Sequence, residues 1–165
     1  MKLFLKYWLV VVVWMVLIFD MSTGVGAPQH SSRILVPILR WFKSNLTYHE
    51  IQQANLVVRK CAHLLEYAIL AILLCYALRK SSRQQIHGWC WRCAGWAFFL
   101  SAAYGLGDEI HQRFVSSRHA SIRDVLIDAS GAVLGLTILW LCHRAIASTR
   151  QEKTAIAPLD PTSIR

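Results

Sequence analysis

The sequence predicts an all-α fold, a small polytopic membrane bundle of four transmembrane helices with one short interfacial helix. Three observations predict it. Hydrophobic residues make up 55% of the 165-residue chain and charged residues only 16%, well below the ~25% charged content of a soluble domain. The apolar residues gather in four long blocks instead of recurring at a steady period. No block shows the strict alternation of a strand, and a bilayer core leaves a backbone no water to bond, which favours helices.

The first block runs from Leu3 to Phe19, interrupted by Lys6. A basic start and apolar core also fit a signal peptide. Asp20 and Met21 follow the block directly in place of a small-residue cleavage site, so it is read as an uncleaved first span over 1–22. The segment 23–58 is expected on the outer side of the membrane. Within it, SRILVPILRWFKS places Ile34, Leu35, Ile38, Leu39 and Phe42 on one flank and Arg33, Arg40 and Lys43 elsewhere, as in a helix lying in the membrane surface. Thr47 and Glu50 then stand at capping-box spacing and predict a helix start that leads into the second span.

The second span is CAHLLEYAILAILLCYAL, residues 61–78; the third runs from about Trp89 to Leu106; the fourth is DVLIDASGAVLGLTILWLC, residues 124–142. Each approaches the ~20 residues that cross ~30 Å of hydrocarbon. The tail over 144–165, with Pro158 and Pro161 and no periodicity, is expected to be disordered and cytoplasmic.

Lys and Arg set the direction. Ten of the 18 basic residues fall at the start of span one, between spans two and three, and after span four. The other eight are spread over the two remaining segments. Both termini are therefore expected in the cytoplasm, with residues 20–60 and 107–123 facing outward. The formal charge of +9 is explained by residues flanking apolar blocks, and no base-reading motif accompanies it, so no nucleic-acid partner is expected. The CWRC stretch (90–93) has CxxC spacing without a second pair or a βαβ context, and it is read as neither a zinc site nor a thioredoxin-like motif.

Polar residues inside the apolar frame point to function. In RKCAHLLEYAIL, Lys60, His63 and Tyr67 fall within about 60° of one another on a helix, with Glu66 on the same flank. In span four, Asp124, Asp128, Gly131 and Gly135 share one face. Gly131 and Gly135 have the GxxxG spacing that lets helices approach closely, so both aspartates should face a neighbouring helix. Asp108, His111 and Gln112 share a face if span three runs one turn further, with Glu109 beside them. In the inferred topology these groups collect at the outer ends of their helices and predict one outward-facing polar cavity.

Plainer roles compete. Asp124 follows Ser121 at S-x-x-D spacing and fits a helix cap. Arg59 and Lys60 fit interfacial anchors, Tyr67 fits core packing, and His111 fits a solvated loop. Asp128 lies a turn too deep for capping. A carboxylate at a helix centre costs roughly 2.5–3.5 kcal/mol on insertion scales, so a partner such as Lys60 or Arg118, or a bound proton, is expected.

These stretches carry a resemblance. RKCAHLLEYAIL followed by DEIHQRFVSSRHASIRDVLIDASGAVLG resembles the VanZ-like family of bacterial membrane proteins over roughly residues 56–136, within a core of 56–143. The match is residue by residue at Lys60, His63 and Tyr67, at Asp108, Glu109 and Gln112, at Arg118, and at Asp124, Gly131 and Gly135. Where many members carry Asn, this chain carries Asp128. The resemblance implies a multi-span protein of the bacterial cytoplasmic membrane with a role in envelope or lipid-linked cell-wall chemistry and in susceptibility to the glycopeptide teicoplanin. It implies no established reaction.

Three functions are consistent with these residues. The first is binding of membrane lipids, a lipid-linked cell-wall intermediate or a lipoglycopeptide, with Lys60, Arg118 and Arg123 meeting phosphate or carboxylate. The second is an intramembrane hydrolase or transferase using His63, Glu66, Glu109 and His111; no H-E-x-x-H, G-x-S-x-G or Walker motif supports it, and no cofactor or metal is expected. The third is a small proton-coupled transporter through Asp128, Glu66 and His63, which with four spans would need a homo-oligomer.

Overall fold

The computed structural model describes residues 2–22, 36–37, 41, 47–82, 88–112 and 122–156. Four α-helices account for nearly all of them: α1 (Lys2–Asp20), α2 (Tyr48–Ser81), α3 (Trp91–Gln112) and α4 (Ile122–Ile156). No strand occurs among the described residues, as an all-α fold requires. α2 is the hub and packs against α1, α3 and α4, while α3 and α4 also pack on each other. Most of the expected interfacial helix lies outside the described residues, as does Arg118.

Two helices, α2 and Ile122–Thr149 of α4, are long and apolar enough to cross a membrane. Their length and composition are consistent with a membrane protein. α1, at 19 residues with Lys2, Lys6 and Asp20, and α3, which carries Arg92, Asp108 and Glu109, are not among the helices that meet the same measure. The four-span expectation is therefore met in part.

α2 starts where the capping box places it. The Thr47 N–H and hydroxyl both donate to Glu50 Oε2, at 2.9 and 2.7 Å. It then runs 34 residues, far beyond the apolar block of 61–78. α3 continues past Leu106 to Gln112, supplying the extra turn that puts Asp108 and Gln112 on the helix. The tail departs from expectation, since α4 stays helical through Ile156. Residues 143–156 lack Gly and Pro and are rich in Ala, Arg, Gln, Glu and Lys, which favour helix without needing an apolar face. Pro158 ends the favourable run, and residues 157–165 lie outside the described residues. The CWRC stretch, read as neither a zinc site nor a thioredoxin-like motif, places Cys90 and Cys93 in a disulfide at the start of α3.

Packing relies on a seam of large residues and on stripes of small ones. Tyr7, Val11, Trp14 and Ile18 recur at spacings of four, three and four along α1 and form its buried seam, with Val11 and Ile18 each 1% exposed. Leu5, Leu9, Val12, Val13 and Val16 on its other faces are exposed. Exposed apolar side chains in this number are a liability in water and ordinary against lipid. α2 buries Ala68, Ala71, Cys75 and Ala77, and α3 buries Ala94, Ala97, Ser101 and Gly105. Small residues suit a bilayer, where the hydrophobic effect does not drive helix against helix and contact depends on close backbone approach.

The tightest approach is between α2 and α4. A Cβ on Gly131 would overlap the Leu64 carbonyl, and one on Gly135 would overlap the Ala68 carbonyl. The GxxxG pair therefore seats α4 directly on the α2 backbone. Gly131→Ala is expected to lower stability by about 1–3 kcal/mol, as overpacking a tight contact does, measured by unfolding of the detergent-solubilised protein. Gly95→Ala, at a site with nothing within 4 Å of the added carbon, should leave stability within about 0.5 kcal/mol.

Candidate functional site

The four helices alternate in direction, so one end of the bundle collects the C-termini of α1 and α3 and the N-termini of α2 and α4. The polar residues gather at this end. Asp128 lies one turn before Gly131 and is carried inward by the α2–α4 approach; it is 2% exposed. Its Oδ1 sits 3.6 Å from His63 Nδ1, and His63 Nδ1 sits 3.9 Å from Glu66 Oε2. Two carboxylates from different helices thus approach the same nitrogen of the imidazole. Both distances exceed hydrogen-bond length, and Asp128 Oδ1 makes no hydrogen bond among the described residues.

α3 closes the third side at a glycine. A Cβ on Gly105 would lie 3.2 Å from both Asp128 Oδ2 and Tyr67 Cε1, so Asp128 and Tyr67 share the space that Gly105 leaves open. Tyr67 is fully buried, and its hydroxyl has no hydrogen-bond partner among the described residues. Two orphaned polar atoms, Tyr67 Oη and Asp128 Oδ1, therefore lie in the polar interior. Buried groups of this kind cost about 1–3 kcal/mol each unless a water, proton or ligand satisfies them.

Towards solvent, Arg59, Lys60, His63, Glu109, Asp124, Ile127 and Asp128 line a cleft. Lys60 is exposed, Arg59 and Asp124 are half-buried, and Glu109 and Asp128 are buried. Cations stand at the rim and carboxylates on the floor. The cleft volume is about 10 Å³, enough for roughly one water. It can grip a small polar group at its mouth, but it cannot enclose a drug-sized molecule.

Asp108 takes a different direction from Glu109. Its Oδ2 accepts a 2.7 Å hydrogen bond from Ser22 Oγ, with both residues buried. A π turn at residues 21–22 follows α1 and brings Ser22 to this position. π turns recur at functional sites. Further up α1, Tyr104 Oη donates to the Met15 carbonyl at 2.6 Å, and Trp14 Nε1 donates to the Glu66 carbonyl at 3.0 Å. α1 is therefore tied by hydrogen bonds to α2 and α3, two of the three helices that carry the site. His111 lies apart from the cleft, with its ring 4.9 Å from that of Phe19. Gln112 is the last residue of α3.

The structure thus brings together Lys60, His63, Glu66, Tyr67, Glu109, Asp124 and Asp128, and places Asp108 behind them against α1. Sequence reasoning missed Ser22, Gly105 and Trp14. Gly105 carried a signal as a small residue four positions after the small residue Ser101. Ser22 carried none, because its role depends on a π turn beyond the apolar block.

A larger cavity, of about 330 Å³, lies at the opposite end, lined by residues including Trp89, Trp91, Phe98, Leu136 and Trp140. No titratable side chain lines it. Arg144 stacks over Trp140 at 5.1 Å and Lys80 over Tyr76 at 5.5 Å, the arrangement of an interfacial aromatic belt with basic anchors. Among the described residues, no three His, Cys, Asp or Glu side chains are grouped to hold a metal ion.

A family model described as VanZ/LLP1 matches residues 7–143. No curated protein matches the chain, and no solved structure does. Asp108→Asn and Ser22→Ala should each destabilise the protein. In a double-mutant cycle they should couple by about 0.5–3 kcal/mol, the range for residues in one hydrogen-bond network; the measurement is unfolding of the four variants in one detergent.

Proposed function

The chain belongs to the VanZ/LLP1 family, and from that premise we propose that it is a four-span protein of the bacterial cytoplasmic membrane whose polar cleft receives the anionic headgroup of an envelope lipid or lipid-linked ligand. In this reading both termini are cytoplasmic and the cleft opens on the outer face. The hydrogen bonds from α1 to Ser81 and Glu66, and from Ser22 just after α1 to Asp108, support α1 as a full member of the bundle. The aromatic belt with Lys80 and Arg144 supports placing the opposite end at the cytoplasmic interface.

One observation carries the reading: Arg59 and Lys60 stand at the mouth of a small cleft whose floor holds His63 beside Asp128. Cations at a rim attract phosphate or carboxylate and form charge-assisted hydrogen bonds with it. The floor carboxylates repel an anion that sinks too far. The small volume sets what enters: a headgroup at the mouth, with its chains left in lipid between the exposed apolar faces. An effect on teicoplanin susceptibility follows if the ligand is a lipid-linked cell-wall intermediate or the lipoglycopeptide itself.

A second reading is favoured by the position of His63. An imidazole beside a buried carboxylate is the pairing a general base uses once a hydrogen bond orients it, and His63 Nδ1 stands 3.6 Å from Asp128 Oδ1, short of that contact. In that case the same cleft would cut or transfer a group on the bound headgroup, with Asp128 orienting His63.

The test uses a water-soluble short-chain anionic phospholipid as probe and sealed membrane vesicles of each orientation. Right-side-out vesicles should bind the probe and inverted ones should not. Arg59→Ala and Lys60→Ala should each weaken binding about tenfold, roughly 1.4 kcal/mol, as loss of one charge-assisted contact implies. Parent-like binding by both variants contradicts the reading.

A further inference from the structure

The N-terminal turn of α3, with its cap, carries a second chemically distinct pair of residues. Cys90 and Cys93 are bonded to each other across three positions of sequence. Cys90 is the cap of α3, since its carbonyl accepts the Ala94 N–H at 3.0 Å. The Cys93 N–H points at the Cys90 sulfur, with N to Sγ at 3.2 Å. α3 is 22 residues long. The free N–H groups of its first turn and its positive dipole end therefore face the position Cys90 occupies. Cys90 is half-buried and Cys93 is 8% exposed.

We propose that Cys90 and Cys93 are a thiol–disulfide exchange centre, with Cys90 the attacking sulfur and Cys93 the resolving one, that reacts with a protein or small-molecule dithiol or disulfide at the membrane surface. The geometry separates the two roles. The outer cysteine sits at a helix N-terminus, where backbone donors stabilise a thiolate. The inner one is shielded and is bonded to its neighbour. The turn is held in place by α2, because Arg79 Nη2 donates to the Gly88 carbonyl at 2.9 Å.

The balance closes without another redox group. From the reduced pair, the Cys90 thiolate attacks a substrate disulfide, one substrate thiolate leaves, and a mixed disulfide forms on Cys90. The deprotonated Cys93 sulfur then attacks Cys90 Sγ and expels the second substrate thiolate. The internal disulfide seen in the structure is formed, and the substrate has gained two electrons. A dithiol donor runs the same steps in reverse and restores the pair.

A structural staple explains the pair less well. Linking residues three apart removes little chain entropy, and a helix start already fixes both. In the orientation proposed above, on which this point rests, the turn faces the cytoplasm. Disulfides there are transient species of catalysis or sensing.

The test uses the full-length protein in detergent with Cys61→Ser and Cys142→Ser, which remove the exposed free thiols. It is equilibrated in glutathione redox buffers, then acid-quenched, alkylated and weighed by mass spectrometry. Cys90 and Cys93 should convert together between dithiol and disulfide. Adding Cys93→Ala should trap glutathione on Cys90. Adding Cys90→Ala instead should trap about tenfold less on Cys93, because the shielded thiol lacks the helix-end donors. A pair that stays reduced in oxidised glutathione, or stays bonded in excess dithiol, overturns the proposal. So does equal trapping by the two variants. The parent titration is read without either substitution at the pair, so it decides the matter even if a variant misfolds.

Discussion

The contact of α4 on the backbone of α2 governs the rest of this molecule. Gly131 and Gly135 lie on the carbonyls of Leu64 and Ala68 with no room for a side chain. In a bilayer the lipid tails are as apolar as leucine, and helices gain by meeting only where their backbones come close. The two glycines provide that. They also fix a register, and the register sets what lies one turn away. Asp128 is brought to face His63, with Tyr67 and Gly105 against its other side. The polar interior is thus a consequence of apolar packing.

The bundle is polarised along its length. One end holds buried Asp108, Glu109 and Asp128 with Arg59 and Lys60 at the rim. The other holds tryptophans, basic anchors and an apolar cavity. Burying three carboxylates is costly unless each has a partner or a proton. Ser22 serves Asp108, and His63 faces Asp128. Tyr67 Oη remains unpaired among the described residues. A fold that keeps unsatisfied polar atoms at low-dielectric depth gives up stability there, which is the common signature of a binding or reacting site.

Much of this was legible in the sequence because helical periodicity maps spacing onto faces. Lys60, His63 and Tyr67 on one helix, and Asp124, Asp128, Gly131 and Gly135 on another, could be placed on faces before any coordinates. GxxxG then indicated that the second face meets a neighbour, and that neighbour is α2. Thr47 and Glu50 marked a helix start correctly. What could not be read depends on contacts between elements. Ser22 reaches Asp108 through a π turn, and Trp14 and Tyr104 bond to backbone carbonyls of other helices; no spacing encodes these. The tail after span four was misjudged, since α4 stays helical to Ile156. The run 143–156 has propensity without hydrophobic periodicity, and the two signals diverge there. A zinc site and a thioredoxin-like motif were set aside at Cys90 and Cys93 for want of a second pair or a βαβ context, and CxxC spacing by itself did not indicate that the two are bonded at a helix start.

The most direct measure of the central claim is the energetic coupling between His63 and Asp128. Unfolding free energies of the parent, His63→Ala, Asp128→Asn and the double variant in one bicelle system give it without knowledge of any ligand. If α2 and α4 hold these side chains against each other in the interior, the two substitutions will be non-additive by about 0.5–3 kcal/mol. Effects that simply add would mean that the two groups do not share a site, and the cleft described here would not exist as a unit.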